Sequence, residues 1–203
     1  MSAPARCLPI AGRRLFRSTT SRQPEDERGA VIVEMAIIAV ILMLLLFGIV
    51  EGGLAFRAKL GLSNSADEAA RRGSVAANDP FADWQILQQV LEHSSDGGSS
   101  IERVVIFKAD ATGNGPAEQC IDASSSASEC NSYGASDLLR PRSDFGTCGA
   151  LDGSWCPNDR SRRLADLDLI GVWVRGRFDS PSGALGSFSM EELSIQALES
   201  AGQ

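Results

Sequence analysis

Residues 30–50 read AVIVEMAIIAVILMLLLFGIV, a run long and apolar enough to cross a membrane as a helix. At a rise of about 1.5 Å per residue the helix would be about 31 Å long, close to the hydrocarbon thickness of a bilayer. Glu34 is the one charged residue in the run, and a carboxylate at the centre of a membrane helix costs about 2.5 to 3.5 kcal/mol. The run therefore predicts a transmembrane helix whose single acidic side chain needs a function.

Arg28 and Gly29 immediately precede the run, and Glu34 is the fifth residue after the glycine. This arrangement resembles the processing site of type IV prepilins, and more closely that of the tight-adherence pilus family, in which a prepilin peptidase cuts after the glycine. The resemblance implies a mature chain that begins with a free amine at Ala30. Because residues four apart share one helix face, Glu34 could pair with the Ala30 amine of a neighbouring subunit. Alternatively, Glu34 lies near the membrane edge and extends to the headgroups.

The resemblance continues beyond the membrane. Residues 47–74, FGIVEGGLAFRAKLGLSNSADEAARRGS, resemble TadE-like pilus-assembly proteins, whose helix carries a Glu at the membrane exit, an Asn and an AAR ending. The matching residues here are Glu51, Asn64, Ala66, Ala69, Ala70 and Arg71. Two features depart from the pattern, since Met35 replaces an aromatic residue and Gly52-Gly53 replaces a bulkier pair. The resemblance implies a minor pilin or pseudopilin with other pilin-like subunits, the pilus-assembly machinery and a prepilin peptidase as partners, in adhesion or secretion.

Charge predicts the topology of the chain. Residues 1–29 form a leader with six arginines, which the positive-inside rule places in the cytoplasm, although Arg57, Lys59, Arg71 and Arg72 reduce the contrast. After Gly29 there are 13 basic and 23 acidic side chains, a net charge of −10. An acidic exported part argues against nucleic-acid binding, which needs a basic patch. We therefore expect a single-pass membrane protein with an extracytoplasmic C-terminal domain.

Four segments follow from these patterns: the leader (1–29), the transmembrane helix (30–50), its exported continuation (51–76) and a domain (77–203). An apolar stripe recurs at helical spacing in the continuation, at Leu54, Ala58, Leu62, Ala66 and Ala69. The stripe could pack on its own domain alone or also on neighbouring pilins. Gly52-Gly53 predicts a bend in the helix.

The sequence patterns predict an α+β fold in which the long N-terminal helix is followed by a small antiparallel sheet. Asp79-Pro80 predicts the start of a short helix with an apolar inner face formed by Phe81, Trp84, Leu87, Val90 and Leu91. Residues 101–107 predict a central strand and residues 170–178 a half-buried one. Residues 189–199 fit a strand, but Ser189 and Glu192 also form a capping box typical of a helix. The family resemblance favours the strand.

Residues 112–163 predict an irregular insertion between the first two strands, displayed at the surface and tied down by cysteines. It contains Cys120, Cys130, Cys148 and Cys156, an even number in an oxidising compartment, which favours two disulfides. Of the three pairings, we prefer Cys120 with Cys130 and Cys148 with Cys156. A disulfide that closes a short loop requires no assumption about which distant parts of the chain lie close together. A zinc site is the alternative, although the spacing lacks the usual CxxC pairs.

The sequence predicts no catalytic, cofactor-binding or metal-binding residues. Its single histidine, His93, falls at the end of a predicted helix, where a cation is favourable. Asp110, Thr112 and Asn114 imitate the start of a calcium-binding loop, but Ile121 occupies the position that requires a bidentate Glu. Trp173 with Arg175 or Arg177 predicts an exposed cation-π pair.

Three alternatives to a processed pilin remain open. One is a permanently anchored extracytoplasmic binding protein that is never cleaved, and a second is an anchored enzyme. The third is a secreted protein cut at the small residues Gly53 and Ala55, although the apolar run is longer than in secretory signals. The first residue of the mature protein separates them: Ala30 for a pilin, Met1 or Ser2 for an anchored protein, and Phe56 for a secreted one.

Overall fold

The computed structural model describes residues 25–94, 98–122, 129–183 and 186–200. The chain divides into two compact units, residues 1–44 and 45–203. The helices are α1 (Glu25–Ala76), α2 (Ala82–Ser94) and α3 (Glu118–Ile121). The strands are β1 (Ser100–Ala109), β2 (Cys130–Gly134), β3 (Leu169–Asp179) and β4 (Ser187–Ala197). The order of elements confirms the predicted α+β class, with a long N-terminal helix followed by a small sheet.

In the first unit, the described residues 25–44 are all helical, and the side chains from Gly29 onward are exposed. Helix α1 continues without a break through Gly52 and Gly53, where the sequence predicts a bend. Its length follows from an apolar run without proline, in which a glycine costs only about 1 kcal/mol relative to alanine.

In the second unit, four antiparallel strands form one sheet in the order β2-β1-β3-β4. The strand predicted at residues 101–107 is β1, and it is central as expected. The segment 189–199 is mostly strand, because β4 pairs with β3 from Asp179↔Ser187 to Leu169↔Ala197. The helical alternative for that segment is therefore wrong, since the turn after β3 brings it into register with a strand edge.

The main core lies between the sheet and one face of α1. Small side chains of the helix are fully buried there, and they include Ala58, Ala66, Ala69 and Ala70, together with Leu62. At Gly73 an added Cβ would lie 2.8 Å from Ile170 Cδ1, so the helix backbone approaches β3 closely. The predicted stripe is thus buried in its own domain from Ala58 onward, whereas Leu54 remains 39% exposed.

Helix α2 begins at Ala82, after the backbone N–H of Phe81 donates to Asp79 Oδ1 at 2.7 Å. Of the predicted inner face, Leu87 and Val90 are fully buried, and Phe81, Trp84 and Leu91 are partly buried against the core. The sequence missed four buried positions on this helix, which are Ala82, Asp83, Ile86 and Ser94.

The insertion at 112–163 differs from the expected irregular surface loop. It contains β2, which pairs along β1 from Phe107↔Cys130 to Arg103↔Gly134. Tyr133, Leu138 and Phe145 of the insertion are buried in the main core. Much of the described insertion is exposed, as the sequence predicts, but β2, Leu138 and Phe145 are buried because this segment pairs with and covers an edge of the sheet at β1.

A second cluster covers the opposite face of the sheet around Val105, Phe107 and Trp173. The disulfide between Cys120 and Cys130 belongs to it and joins α3 to β2. Because of this cover, Trp173 is only 5% exposed, although the sequence predicts an exposed residue on a half-buried strand. The predicted cation-π contact is nevertheless present, with the Arg175 guanidinium 4.9 Å from the Trp173 ring.

Candidate processing and assembly site

Helix α1 presents an unbroken apolar surface at its N-terminal end. Within the part of the chain that the structure describes, it is the one helix long and apolar enough to cross a membrane, and none of its apolar window is buried. Side chains from Val31 to Val50 lie in water only at a large hydrophobic cost of roughly 25 cal/mol per Å². This surface is suited to a lipid or helix environment.

Gly29, Ala30 and Glu34 lie together near the start of this helix. Most of the leader predicted for residues 1–29 lies outside the described residues, and α1 begins within it at Glu25. Glu34 is one turn beyond Ala30 on the same helix face, about 6 Å along the axis. Glu34 is exposed, and among the described side chains it has no hydrogen bond or ion pair.

Glu51, the residue that follows the apolar run, differs from Glu34 because it is buried. Its side chain is only 4% exposed, and its Oε1 accepts the backbone N–H of Ser182 at 3.0 Å. Ser182 lies in the turn between β3 and β4. A carboxylate at the end of the apolar run is therefore held by the folded domain.

Two further contacts hold α1 to the edge strand β4. Lys59 Nζ donates to the carbonyl of Glu191 at 2.9 Å and forms an ion pair with Glu192. Near the end of the helix, Ser74 Oγ donates to the carbonyl of Ala197 at 2.5 Å. The helix is thus joined to the sheet by polar contacts along its length, in addition to the apolar core.

Residues 29–71 match the model of the family described as TadE-like protein. The chain carries a TadE-like segment. The match confirms the resemblance predicted from the sequence over these residues, and it covers the apolar surface, Glu51, Lys59 and the buried alanines of α1. No curated protein and no solved structure matches the chain.

Within the TadE-like segment, the residues taken from the family pattern have two kinds of environment. Ala66, Ala69 and Ala70 are buried against the sheet, so their small size permits close packing of helix and sheet. Asn64 and Arg71 are exposed on the opposite side. The segment therefore supplies part of the core of the C-terminal domain as well as the helix that is long and apolar enough to cross a membrane.

Outside the TadE-like segment, a buried polar cluster links α2 to two parts of the insertion, strand β2 and the segment around Arg160. Arg160 Nη2 donates to Asp83 Oδ1 at 2.5 Å, and both side chains are fully buried. Tyr133 Oη and Asn131 Nδ2 each donate to Asp83 Oδ2 at 2.7 Å. Burial raises the pKa of the Tyr133 hydroxyl well above its usual value of 10, and the charge of Asp83 raises it further.

Local sequence patterns carry little sign of this cluster. Asp83 is an acidic residue in the first turn of a helix, a position that usually reflects the helix dipole. Arg160 lies in an irregular segment, and its guanidinium is 4.2 Å from the Trp155 ring. An isolated acid among the apolar positions of α2 is the one signal that could have marked the site.

Asp152 organises the loop that holds the second disulfide. Its two carboxylate oxygens accept the backbone N–H groups of Gly146 at 2.8 Å and Gly149 at 3.0 Å. The neighbouring disulfide joins Cys148 to Cys156. Both disulfides are the sequence-local pairings, so the cysteines do not form the alternative zinc site.

The two other candidate features also serve the structure. Asp110 accepts the backbone N–H of Thr112 at 3.0 Å and its hydroxyl at 2.5 Å, and the side-chain hydrogen bond lowers the pKa of Asp110. His93 lies in the last turn of α2, where Nδ1 contacts the Gln89 carbonyl oxygen at 3.1 Å. In the described ranges, no group of three or more His, Cys, Asp or Glu residues is close enough to hold a metal ion.

Proposed function

We propose that this chain is a pilin-like component, a minor pilin or pseudopilin, of a tight-adherence type IV pilus. The TadE-like match over residues 29–71 is the observation that carries the proposal. It begins at the glycine of the predicted cleavage site and includes an exposed apolar helix with one carboxylate. The leader is cytoplasmic in this proposal and the C-terminal domain extracytoplasmic.

The proposed sequence of events starts with insertion of α1 into the membrane. A prepilin peptidase then cuts the peptide bond between Gly29 and Ala30, which creates a positively charged amine at Ala30. During assembly, this amine pairs with Glu34 of a neighbouring subunit. In the low dielectric of packed helices, such a pair offsets much of the cost of keeping the carboxylate in an apolar environment.

The exposure of the apolar helix supports this step. Side chains from residue 29 to 50 are all exposed within the chain, so the helix has its full circumference available for lipids or for other subunits. The 16 large apolar side chains between Val31 and Val50 would gain van der Waals packing against neighbouring helices, which is what drives helix association once the helices have left water.

N-terminal sequencing of the protein recovered from sheared pili tests the proposal. We expect Ala30 as the first residue, with the full leader present only when the prepilin peptidase is deleted. A Gly29→Ala chain offers a matched control, since it keeps the helix and changes only the residue before the cut. Recovery of working filaments that contain the intact leader would refute the proposal.

The second candidate is a permanently anchored extracytoplasmic binding protein. The observation in its favour is an open cleft of about 840 Å³ in the second unit, lined by Asn78 and residues 159–166. Arg162 Nη1 already donates to Asn78 Oδ1 at 3.3 Å across this region. An intact N-terminus at Met1 or Ser2 in the membrane-bound protein would favour this candidate.

We also propose that the chain acts as a component and not as a catalyst. Its one histidine contacts a carbonyl of its own helix. The buried carboxylates of the described residues accept hydrogen bonds from the fold, and they are Glu51, Asp83, Asp152 and Asp168. A turnover assay on the purified chain with ester, peptide and phosphate substrates tests this point. Activity that is lost in a His93→Gln variant would contradict it.

A further inference from the structure

Contacts within the second unit fix the direction of the sheet along α1. Each joins a residue of the helix to a residue of the β3–β4 hairpin, and each is short. The pairs are Glu51 with Ser182 at 3.0 Å, Lys59 with the Glu191 carbonyl at 2.9 Å, and Ser74 with the Ala197 carbonyl at 2.5 Å. As the residue number rises along the helix, it also rises along β4. Ser182, in the turn of the hairpin, therefore lies beside Glu51, the residue that follows the apolar run.

The spacing of these contacts shows that helix and strand run side by side. From Lys59 to Ser74 the helix advances about 22 Å, while β4 advances about 20 Å from Glu191 to Ala197. Phe188 lies three residues before Glu191, about 10 Å back toward the turn. Since Glu51 lies about 12 Å before Lys59 on the helix, Phe188 is level with Glu51 to within a few ångström.

The chemistry of this end of the domain suits a membrane surface. Residues 180–190, SPSGALGSFSM, include no charged side chain, in a protein whose residues are 22% charged. Phe188 is 40% exposed, and its ring is 5.5 Å from that of Phe178, which keeps it in place. Leu54 and Phe56 of the helix are exposed close to the same level. Aromatic and uncharged polar residues are those that the interfacial layer of a bilayer accepts.

The opposite end of the sheet is different. Leu169 begins β3 there and pairs with Ala109 of β1 and Ala197 of β4. Leu164 lies five residues before Leu169 and is 74% exposed, among Arg162, Arg163 and Asp166. An exposed apolar side chain is thus available at each end of the sheet. Leu164 has charged neighbours in its own segment, whereas Phe188 lies in an uncharged segment and the charged residues near it, Arg177 and Asp179, lie on β3 opposite Ser189 and Ser187.

We propose that the tip of the β3–β4 hairpin, residues 180–183 with Phe188, rests in the headgroup layer of the bilayer that α1 spans. Continuity with the apolar run identifies lipid as the occupant, because the exposed side chains of residues 45–50 lead directly to Glu51 and its Ser182 partner. The contact of Glu51 with the turn holds the hairpin at that level. The inference rests on the membrane insertion of α1 in the proposed function.

Photocrosslinking of the full-length chain in phosphatidylcholine vesicles tests this inference. One variant carries benzoylphenylalanine at position 188 and a matched control carries it at position 164. Both sites are exposed apolar residues, so neither change disturbs the core. Intact-mass analysis after irradiation measures the fraction of chain joined to lipid, and carbonate extraction measures membrane insertion of the same samples.

We expect both variants to resist carbonate extraction and position 188 to give several-fold more lipid adduct than position 164. Equal adduct yields in inserted chains would overturn the inference and leave the membrane anchor intact. Adducts at position 188 that join two copies of the chain, instead of chain and lipid, would also overturn it. Extraction of the chain by carbonate would refute the membrane anchor of the proposed function and, with it, the placement of the hairpin.

Discussion

Loss of Arg160 should destabilise the domain strongly, because it would leave the Asp83 carboxylate buried without a counter-charge. Both side chains are fully buried, and Arg160 Nη2 lies 2.5 Å from Asp83 Oδ1. Removal of one partner of a buried ion pair costs about 3 to 5 kcal/mol. Tyr133 and Asn131 would still donate to Asp83, so we expect Arg160→Met to fall near the lower end, at about 3 kcal/mol.

The change Asp83→Leu should cost more, about 5 kcal/mol. It leaves the guanidinium of Arg160 unpaired, and it also removes the acceptor used by Tyr133 and Asn131. Each buried donor left without a partner costs about 1 to 3 kcal/mol. The double variant should lose less than the sum of the two single variants by at least about 2 kcal/mol, since it contains no isolated buried charge.

Urea unfolding of the full-length chain in detergent micelles, followed by tryptophan fluorescence, measures these differences. Trp155 is a local probe, because its ring lies 4.2 Å from the Arg160 guanidinium. Arg177→Met is the matched control: it removes the exposed pair in which Arg177 Nε lies 3.2 Å from Asp179 Oδ1, and we expect a loss of about 1 kcal/mol or less. If Arg160→Met costs no more than this control, the account of a buried, obligatory pair is wrong.

Three other predictions concern pH, packing and assembly. Tyr133, the one tyrosine of the sequence, should show no tyrosinate absorption until the pH is well above 10. Since its raised pKa favours the protonated folded state, its contribution to the stability should be fully present below pH 10 and fall as the pH rises above that value, and a normal titration of the native protein would contradict this. The change Gly171→Ala should lower the free energy of unfolding in urea by about 1 to 3 kcal/mol, because its Cβ would lie 2.4 Å from the Phe107 ring. The control Gly53→Ala adds a Cβ in open space on the helix and should not destabilise the fold. A Glu34→Ala chain should insert into membranes at least as well as the native chain but fail to enter pili, as judged by blotting of sheared filaments; normal incorporation would show that the pairing with the Ala30 amine is not required.

Long periodic patterns allowed the sequence to predict most of the fold. The apolar run and the stripe from Ala58 to Ala70 are visible as helical patterns, and the two central strands are rich in β-branched residues. Strand β2 escaped prediction because CNSYG is short and has one large apolar residue, Tyr133. Its strand conformation is imposed by pairing with β1, which no local pattern records.

The candidate site shows the same division between local and distant information. Gly29, Ala30 and Glu34 form a linear motif, so their spacing can be recognised without a structure. Glu51 was recognisable as a family position, but its partner Ser182 is 131 residues away in the sequence. The burial of Asp83 depends in the same way on Arg160, 77 residues later. Contacts of this kind require the folded chain.

The dual use of α1 has a mechanical consequence. Residues from Ala58 to Ala70 belong to the same continuous helix as the apolar run, and they fill the core of the C-terminal domain. A pulling force on residues 45–50 would therefore act directly on the packed interior of the second unit. Unfolding of the second unit under tension would require the sheet to lose its covering helix, so the stability of the fold itself sets the load that the second unit can bear.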